Sequence, residues 1–192
     1  MQIEEYQSLA MRTSPEGHDR VLNGCMGLIG ESGEIVDLVK KWKFQSGDHA
    51  DLPKEKLIEE CGDVLWYCAE LASGLNKNLA EIYENVNSFY DVMREIDRET
   101  PIEIMVMRLA MIAVRPTRYL YDGPLPESWE IDTVRMESAA AAEIVGIMTL
   151  IRNMLEIHCE TTMLCAMEQN IDKLRKRYPD GFDPERSLHR EQ

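Results

Sequence analysis

Apolar residues recur at helical spacing along most of the chain. Between Leu57 and Ala72, apolar side chains return every three or four residues, which places them on one face of a helix. Long alternations of apolar and polar residues, typical of half-buried strands, are missing, and the abundant Leu, Met, Ala, Glu and Lys favour helix. The pattern predicts an all-α fold, with helices at about residues 2–13, 20–43, 54–73, 79–98, 102–121, 130–157 and 160–178.

Turn-forming residues separate the predicted helices. Pro101, for example, fits the first turn of a helix, where its missing N–H is tolerated. The last helix is followed by a polar tail that runs to Gln192. The other breaks lie at residues 14–17, 46–53, 122–126 and 179–181.

The composition permits a sizeable core and argues against some classes of function. Hydrophobic residues make up 44% of the 192 residues, which suits one compact domain. A formal net charge of −14 argues against a broad nucleic-acid surface or an anionic membrane face. The most apolar stretch, Ile102 to Val114, is too short to span a bilayer. Five cysteines without a CxxC pair, and a beginning without an apolar signal core, favour a cytoplasmic protein with reduced thiols.

Two pairs of carboxylates are the strongest chemical signal. Glu31 and Glu34 stand three residues apart on one predicted helix, and Glu60 and Asp63 stand three residues apart on the next. Each pair therefore lies on one helix face, a turn apart. Because a loop with turn-forming residues connects the two helices, they can fold back on each other and bring the four carboxylates together.

The surroundings of these pairs favour a binding role. Both helices are otherwise apolar, and acids on a core-facing stripe cost free energy unless they bind something. Gly33 and Gly62 lie inside the pairs, although glycine in a helix interior costs about 1 kcal/mol, so we expect both to allow close helix approach. The competing interpretation is that these are ordinary surface acids of an acidic protein.

The ligand type predicts the metal. Carboxylate oxygens select hard cations, so Mg²⁺ is the predicted ion and Mn²⁺ a second choice. The absence of His and Cys from both pairs argues against zinc, and the Glu-x-x-His pairs of di-iron bundles are missing. Mg²⁺ often shares its coordination shell with phosphate, so the predicted partner is a nucleoside polyphosphate.

The segments GLIGESGEIVDLVKK and LIEECGDVLWY resemble the metal helices of the MazG-like family of nucleotide pyrophosphohydrolases. The opening EYQSLAMRT and the closing NIDKLRKRYPDGFDPERSLHR are similar to compact members, so the resemblance covers about residues 1–82 and 160–190. It implies an all-α bundle, Mg²⁺-dependent hydrolysis of nucleoside triphosphates to monophosphate and pyrophosphate, and a homodimer or higher homo-oligomer. The related dimeric dUTPases, with one metal-carrying and one divergent helical half, are also similar.

The middle of the chain departs from compact members. Asp63–Leu75 and Glu143–Leu155 share length and apolar rhythm, which fits either a degenerate duplication packed as a pseudo-dimer or an insertion of ordinary core helices. In a duplication Ala140 would stand where Glu60 stands, so one active site per chain is expected. The predicted organisation of this single domain is a metal-binding half at 1–82, an inserted or degenerate half at 83–165, and a C-terminal helix and tail at 166–192.

Other residues are candidates for holding the substrate. By resemblance, Asn170 and Lys173 lie near the nucleotide and Tyr67 touches its sugar or base. The alternative for Asn170 and Lys173 is that they form, with Arg177, a row of polar residues on the exposed face of the last helix. The alternative for Tyr67 is core packing. Lys54 could meet a phosphate or remain solvated. The predicted substrate-binding set is Tyr67, Lys54, Asn170, Lys173 and Arg177.

The expected mechanism follows from these assignments. Glu34 or Glu31 would orient and deprotonate a water that attacks the α-phosphorus, and pyrophosphate would leave. One alternative is a non-catalytic helical module that binds a nucleotide or a partner, and another is a structural bundle with incidental acids. The base and sugar of the substrate are left open.

Overall fold

The computed structural model describes residues 1–47, 50–121 and 133–188. Within these residues all regular secondary structure is α-helical, which confirms the predicted fold class. The helices are α1 (Ile3–Met11), α2 (Arg20–Gln45), α3 (Lys54–Gly74), α4 (Leu79–Asp97), α5 (Ile102–Ala113), α6 (Arg115–Tyr121), α7 (Thr133–His158), α8 (Met163–Arg177) and α9 (Pro184–Leu188).

Two stretches differ from the predicted pattern. The predicted helix over 102–121 is two helices, α5 and α6, because Pro116 cannot donate the backbone hydrogen bond that a continuous helix would need there. Helix α9 lies in the tail, where no helix was predicted. Its cap is visible in the sequence, because Asp183 accepts from the backbone N–H groups of Glu185 and Arg186 at 2.9 and 3.1 Å.

Some predicted features lie outside the described residues. These are the loop at 122–126, the start of a helix at 130, the end of the tail at 189–192, and Asp48 with His49 in the break after α2.

Helices α2 and α3 form a closely packed antiparallel hairpin. A Cβ added to Gly24 of α2 would lie only 2.8 Å from the Cβ of Leu71 in α3, so the two backbones meet where no side chain fits between them. Gly27 and Tyr67 form the next contact along the hairpin. This register brings Glu31 of α2 opposite Asp63 of α3.

The remaining helices surround this hairpin, and the helix that packs on α3 is not the one that follows it in the chain. Helix α8 packs on α3, whereas α4, which directly follows α3 in the chain, packs mainly on α7. Helix α5 packs on α2, and α7 also contacts α3, so the described part of residues 83–165 is helical and lies against the hairpin of α2 and α3. The predicted divisions after residues 82 and 165 fall inside α4 and α8. These two helices begin at Leu79 and Met163, a few residues before the predicted divisions.

Among the described residues, one core draws buried side chains from α1 to α5, α7 and α8. It includes fully buried residues from both halves, such as Leu28, Leu65, Met105 and Ile147. Residues Arg135–His158 of α7 are long and apolar enough to cross a membrane, since they contain an 18-residue window with a mean hydropathy of 1.3, but 56% of that window is buried inside the protein. Core helices of folded proteins meet the same criterion, and α7 packs on α4, α5 and α6.

Candidate metal centre

Three of the four predicted metal ligands converge between α2 and α3. Glu31, Glu60 and Asp63 each place a carboxylate oxygen within 4.8 Å of the other two. The i, i+3 spacing puts Glu60 and Asp63 on one face of α3, and the hairpin register supplies Glu31 from the facing helix. Glu60 is only 9% exposed, so its charge needs a cationic partner close by.

The fourth predicted ligand, Glu34, lies outside this group. It is exposed on the next turn of α2, where its charge acts on Lys41. The expected role of Gly33 is wrong as well, because a Cβ built there would meet nothing within 4 Å. Gly62 does allow close approach, since its Cβ would lie 3.0 Å from the Cβ of Asn170 in α8.

Helix α8 supplies two polar groups to Asp63. Lys173 places its Nζ 2.6 and 2.5 Å from the two carboxylate oxygens, and Asn170 donates from Nδ2 to Oδ1 at 2.8 Å. Asn170 is 3% exposed and accepts a hydrogen bond from Tyr6 at 3.4 Å. Two of the predicted substrate residues are therefore next to the carboxylates, and the buried amide of Asn170 fixes the orientation of Asp63.

A second lysine, which the predicted substrate-binding set did not include, neutralises the other end of the group. Lys56 lies 2.9 Å from Glu60 and 3.1 Å from Glu59. Burial alone would raise the pKa of Glu59, but Lys56 and Lys173 outweigh it and lower that pKa. Burial would likewise lower the pKa of Lys56, and its two carboxylate partners raise it instead. The signal was available, because Lys56 and Glu60 stand four residues apart on one helix.

The structure does not bring Lys54 to the carboxylate group. Its Nζ lies 2.6 Å from Glu160, in the turn between α7 and α8. Lys54 begins α3, so nine residues of helix separate it from Asp63, or about 13 Å along the axis. In this structure Lys54 forms an exposed ion pair, and its role in substrate binding stays a prediction.

A pocket of about 200 Å³ opens beside Glu31 and Asp63. Tyr67 and Arg177, both predicted to bind substrate, line it. The Tyr67 ring packs over Gly27, where a Cβ would lie 2.1 Å from the ring. Trp66 also reaches the pocket, but its indole N–H is committed to Ala10 and Thr13.

A buried carboxylate near this pocket was not predicted. Glu70 is 0% exposed and accepts hydrogen bonds from Ser14 at 3.1 Å and Asn23 at 3.3 Å, while His18 Nε2 lies 2.5 Å from the same oxygen. Asn23 also lines the pocket, so the cluster supports its wall. The sequence signal was a lone acid in the apolar run of α3, seven residues after Asp63 and therefore on the same face.

The residues present fit a divalent cation. The three carboxylates supply only hard oxygen donors, which suit Mg²⁺ or Mn²⁺. The ammonium groups of Lys56 and Lys173 lie against the same oxygens, which shows that the arrangement attracts positive charge. Next to this anionic group, Arg177 adds a cation to the pocket, so one ligand could meet a metal at one end and a guanidinium at the other.

Residues 22–98 match the family model of the MazG nucleotide pyrophosphohydrolase domain. The matched segment contains the acid pairs on α2 and α3, whereas Asn170, Lys173 and Arg177 lie beyond it. The match confirms the family resemblance indicated by the acid pairs.

Among curated proteins, the chain is similar to the Gene 37 protein of Mycobacterium phage L5. The two are 41% identical over 64 residues, which is 32% of this chain and 56% of the phage protein. The similarity thus spans about half of that relative. No solved structure shows a significant match to this chain.

Proposed function

We propose that this chain, whose residues 22–98 match the model of the MazG nucleotide pyrophosphohydrolase domain, hydrolyses nucleoside or deoxynucleoside triphosphates to the monophosphate and pyrophosphate. The observation that carries the proposal is the convergence of Glu31, Glu60 and Asp63 beside a pocket that also contains Arg177. Carboxylates that hold Mg²⁺, together with a basic side chain, match the charge pattern of a metal-bound polyphosphate.

In this proposal Glu31, Glu60 and Asp63 would hold Mg²⁺, which would supply electrophilic stabilisation of the polyphosphate and lower the pKa of a bound water. Asn170 keeps Asp63 in position through its 2.8 Å hydrogen bond. Glu34, one turn from Glu31 and exposed to solvent, is the residue we assign to orient the attacking water and accept its proton, with Glu31 as the alternative. The water oxygen bonds to the α-phosphorus while the bond from that phosphorus to the bridging oxygen of the pyrophosphate breaks.

Basic residues hold the charge of the leaving group. Lys173 pairs with Asp63 in this structure, and a cation bound to Asp63 would release its ammonium group for a phosphate oxygen. Arg177 lies one turn further along α8 and lines the pocket, where its planar guanidinium can bind two phosphate oxygens. Tyr67 offers a half-buried aromatic surface for the sugar or the base.

We also propose that the protein works in the cytoplasm on the nucleotide pool, as a homo-oligomer, without binding nucleic acid or membrane. The net charge of −14 supports the last part, because phosphate-rich surfaces repel such a protein. The alternative function is a binding module that holds a nucleotide without turnover. The exposed position of Glu34 favours this alternative if that residue does not reach the substrate.

The deciding experiment is a panel of nucleoside triphosphates with identification of the products. With Mg²⁺, the wild-type protein should release monophosphate and pyrophosphate, and chelation should stop the reaction. Asp63→Asn removes one ligand charge and should reduce kcat by roughly a hundredfold or more, the scale expected when a main electrostatic contact is lost. Release of orthophosphate and nucleoside diphosphate would overturn the reaction class.

The matched control is Asp172→Asn. Asp172 lies on α8 next to Lys173, is 66% exposed and pairs only weakly with Arg175 at 3.4 Å. The Asp172→Asn variant should retain wild-type turnover. Wild-type activity in Asp63→Asn would refute the metal assignment, and nucleotide binding without any turnover would favour the binding module.

A further inference from the structure

A second pocket lies in the other half of the molecule, between α4, α5, α6 and α7. Its volume of about 450 Å³ is within the range of small-molecule sites and exceeds that of the pocket beside Asp63. Most of its lining is apolar, including Met93, Met111 and Val145. Two arginines, Arg108 and Arg115, are the charged residues of the lining.

The position of this pocket parallels that of the candidate metal centre. In the first half, α2 and α3 form a hairpin and α8 packs on α3. In the second half, α5 and α6 precede α7, and α4 packs on α7. The similar segments Asp63–Leu75 and Glu143–Leu155 lie on α3 and α7. In this correspondence Gly146 of α7 stands where Trp66 stands, and both residues line their pockets.

The charged side chains of the two pockets differ. The first is lined by the candidate metal-binding carboxylates Glu31 and Asp63 together with Arg177, whereas the charged residues of the second are guanidinium groups on α5 and α6. Arg108 is held by the fully buried Asp97 at 2.9 Å, which leaves most of its five N–H donors for other partners. Arg115 is half-exposed, and its contact with Glu143 is long, at 3.6 Å. These arginines can bind an anionic group directly, with no cation between.

The apolar part of the pocket is open to water. Ile96 is 59% exposed and Met111 is 64% exposed at its edge. Methionines adapt to flat ligands and make favourable contacts with aromatic rings. A flat aromatic body with a phosphate therefore suits both parts of the pocket.

We propose that the pocket between α4, α5, α6 and α7 is a second, metal-independent binding site for a nucleoside phosphate. The base lies against Met93, Met111 and Val145, and the phosphate binds Arg115 and the free side of Arg108. The identification of the ligand as a nucleotide rests on the proposed function of the parallel pocket. The existence of a site for an aromatic anion rests on this pocket alone.

The test is equilibrium binding in EDTA, measured by calorimetry with nucleoside mono-, di- and triphosphates. The wild-type protein and Asp63→Asn should both bind one equivalent, because the second site needs no metal. Gly146→Leu should lose this binding, since its side chain enters the pocket. The variant should still fold, because a Cβ at Gly146 lies an ordinary 3.6 Å from Ile112 and leucine favours helix.

Arg115→Gln should weaken binding about tenfold, as expected for loss of a charged hydrogen-bond partner. Arg118→Gln is the control, because Arg118 is an exposed residue of the same helix that does not line the pocket. No saturable binding in EDTA, or unchanged binding in Gly146→Leu, would overturn the proposal. Self-association that Gly146→Leu abolishes, without nucleotide binding, would instead identify the face as a subunit contact and also overturn it.

The outcome separates this inference from the proposed function. Hydrolysis that requires Asp63, with no metal-free binding, would leave the enzyme proposal standing and remove the second site. Metal-free binding that depends on Gly146, with no hydrolysis of any triphosphate, would do the reverse.

Discussion

At the scale of single residues, Glu70 shows how neighbouring side chains can hold a buried carboxyl group. Ser14, His18 and Asn23 all approach one of its oxygens, and the residue is fully buried. Glu70→Leu would leave these polar groups without their acceptor, so we expect a loss of about 1–3 kcal/mol in the free energy of unfolding. Urea denaturation measures it. Glu70→Gln keeps an acceptor oxygen and should lose less, and equal losses in both variants would show that the carboxylate is not the organising group.

Lys173 occupies a position where two effects oppose each other. It pairs with Asp63 and contacts Glu59 at 3.5 Å, so it stabilises the carboxylates when no cation is bound. Lys173→Met should therefore lower the Tm in EDTA and enlarge the increase in Tm that Mg²⁺ produces, because the cation no longer competes with the ammonium group. Thermal denaturation with and without Mg²⁺ measures both. Lys176→Met, at an exposed position of the same helix, should change neither, and an unchanged Mg²⁺ response in Lys173→Met would contradict the competition.

The sequence determines some site residues and not others. Glu60 and Asp63 follow from helical spacing, because one helix fixes their relation. Asn170 and Lys173 were found by resemblance, since no local pattern says which helix α8 will meet. The ion pair of Lys54 was not predicted, because its partner, Glu160, is distant in sequence and lies in a turn. Local periodicity predicts the helix face on which a residue lies, but not which residues of another helix pack against that face.

At the scale of helices, glycines control how closely α2 and α3 approach. A Cβ at Gly27 would collide with the Tyr67 ring at 2.1 Å, whereas one at Gly30, a turn further, meets nothing within 4 Å. Gly27→Ala should therefore reduce the free energy of unfolding by about 1–3 kcal/mol through overpacking and displace Tyr67. Gly30→Ala should increase it by up to about 1 kcal/mol, because alanine favours helix. Denaturant unfolding compares them, and equal effects at both positions would contradict the close contact.

Helix positions were the most predictable level of the fold. Apolar periodicity located α2, α3 and α4 to within about two residues at each end, because apolar residues recur at helical spacing along each of them. The same periodicity ran through Val114 and therefore missed the break between α5 and α6, which Pro116 marks. The short helix α9 has too few apolar residues to give a period, so its cap was the available signal.

At the scale of the whole molecule, the thiols report how completely the core is closed. Cys25, Cys61, Cys68 and Cys159 are buried, and Cys165 is exposed. Burial raises the pKa of Cys25 and of Cys159 to about 11, which further reduces the reactive thiolate. A thiol reagent should modify one cysteine quickly in the native protein and all five in denaturant. Cys165→Ser should abolish the fast reaction, and rapid modification of two or more thiols in the native wild type would contradict the closed core.

The sequence did not predict which helices of the two halves pack on each other. The sequence offered either an insertion or a duplication, and both predict helices in the same places. In the structure α8 packs on α3, and α4 packs on α7. This choice depends on how the apolar faces of several helices fit together at once. A local pattern contains no information about that choice.

The packing of α8 on α3, across a long intervening segment, constrains the order in which the protein can fold. The contacts that Asn170 and Lys173 make with Asp63 join residues 107 and 110 positions apart. Such distant contacts carry the loop-closure entropy of the whole intervening chain, so they form late and slow the folding rate. The hairpin of α2 and α3 is a local unit that can form early, whereas Asn170 and Lys173 reach Asp63 only after the long intervening segment has closed. If the proposed function is right, turnover would therefore require the packing of α8 on α3 as well as the hairpin itself.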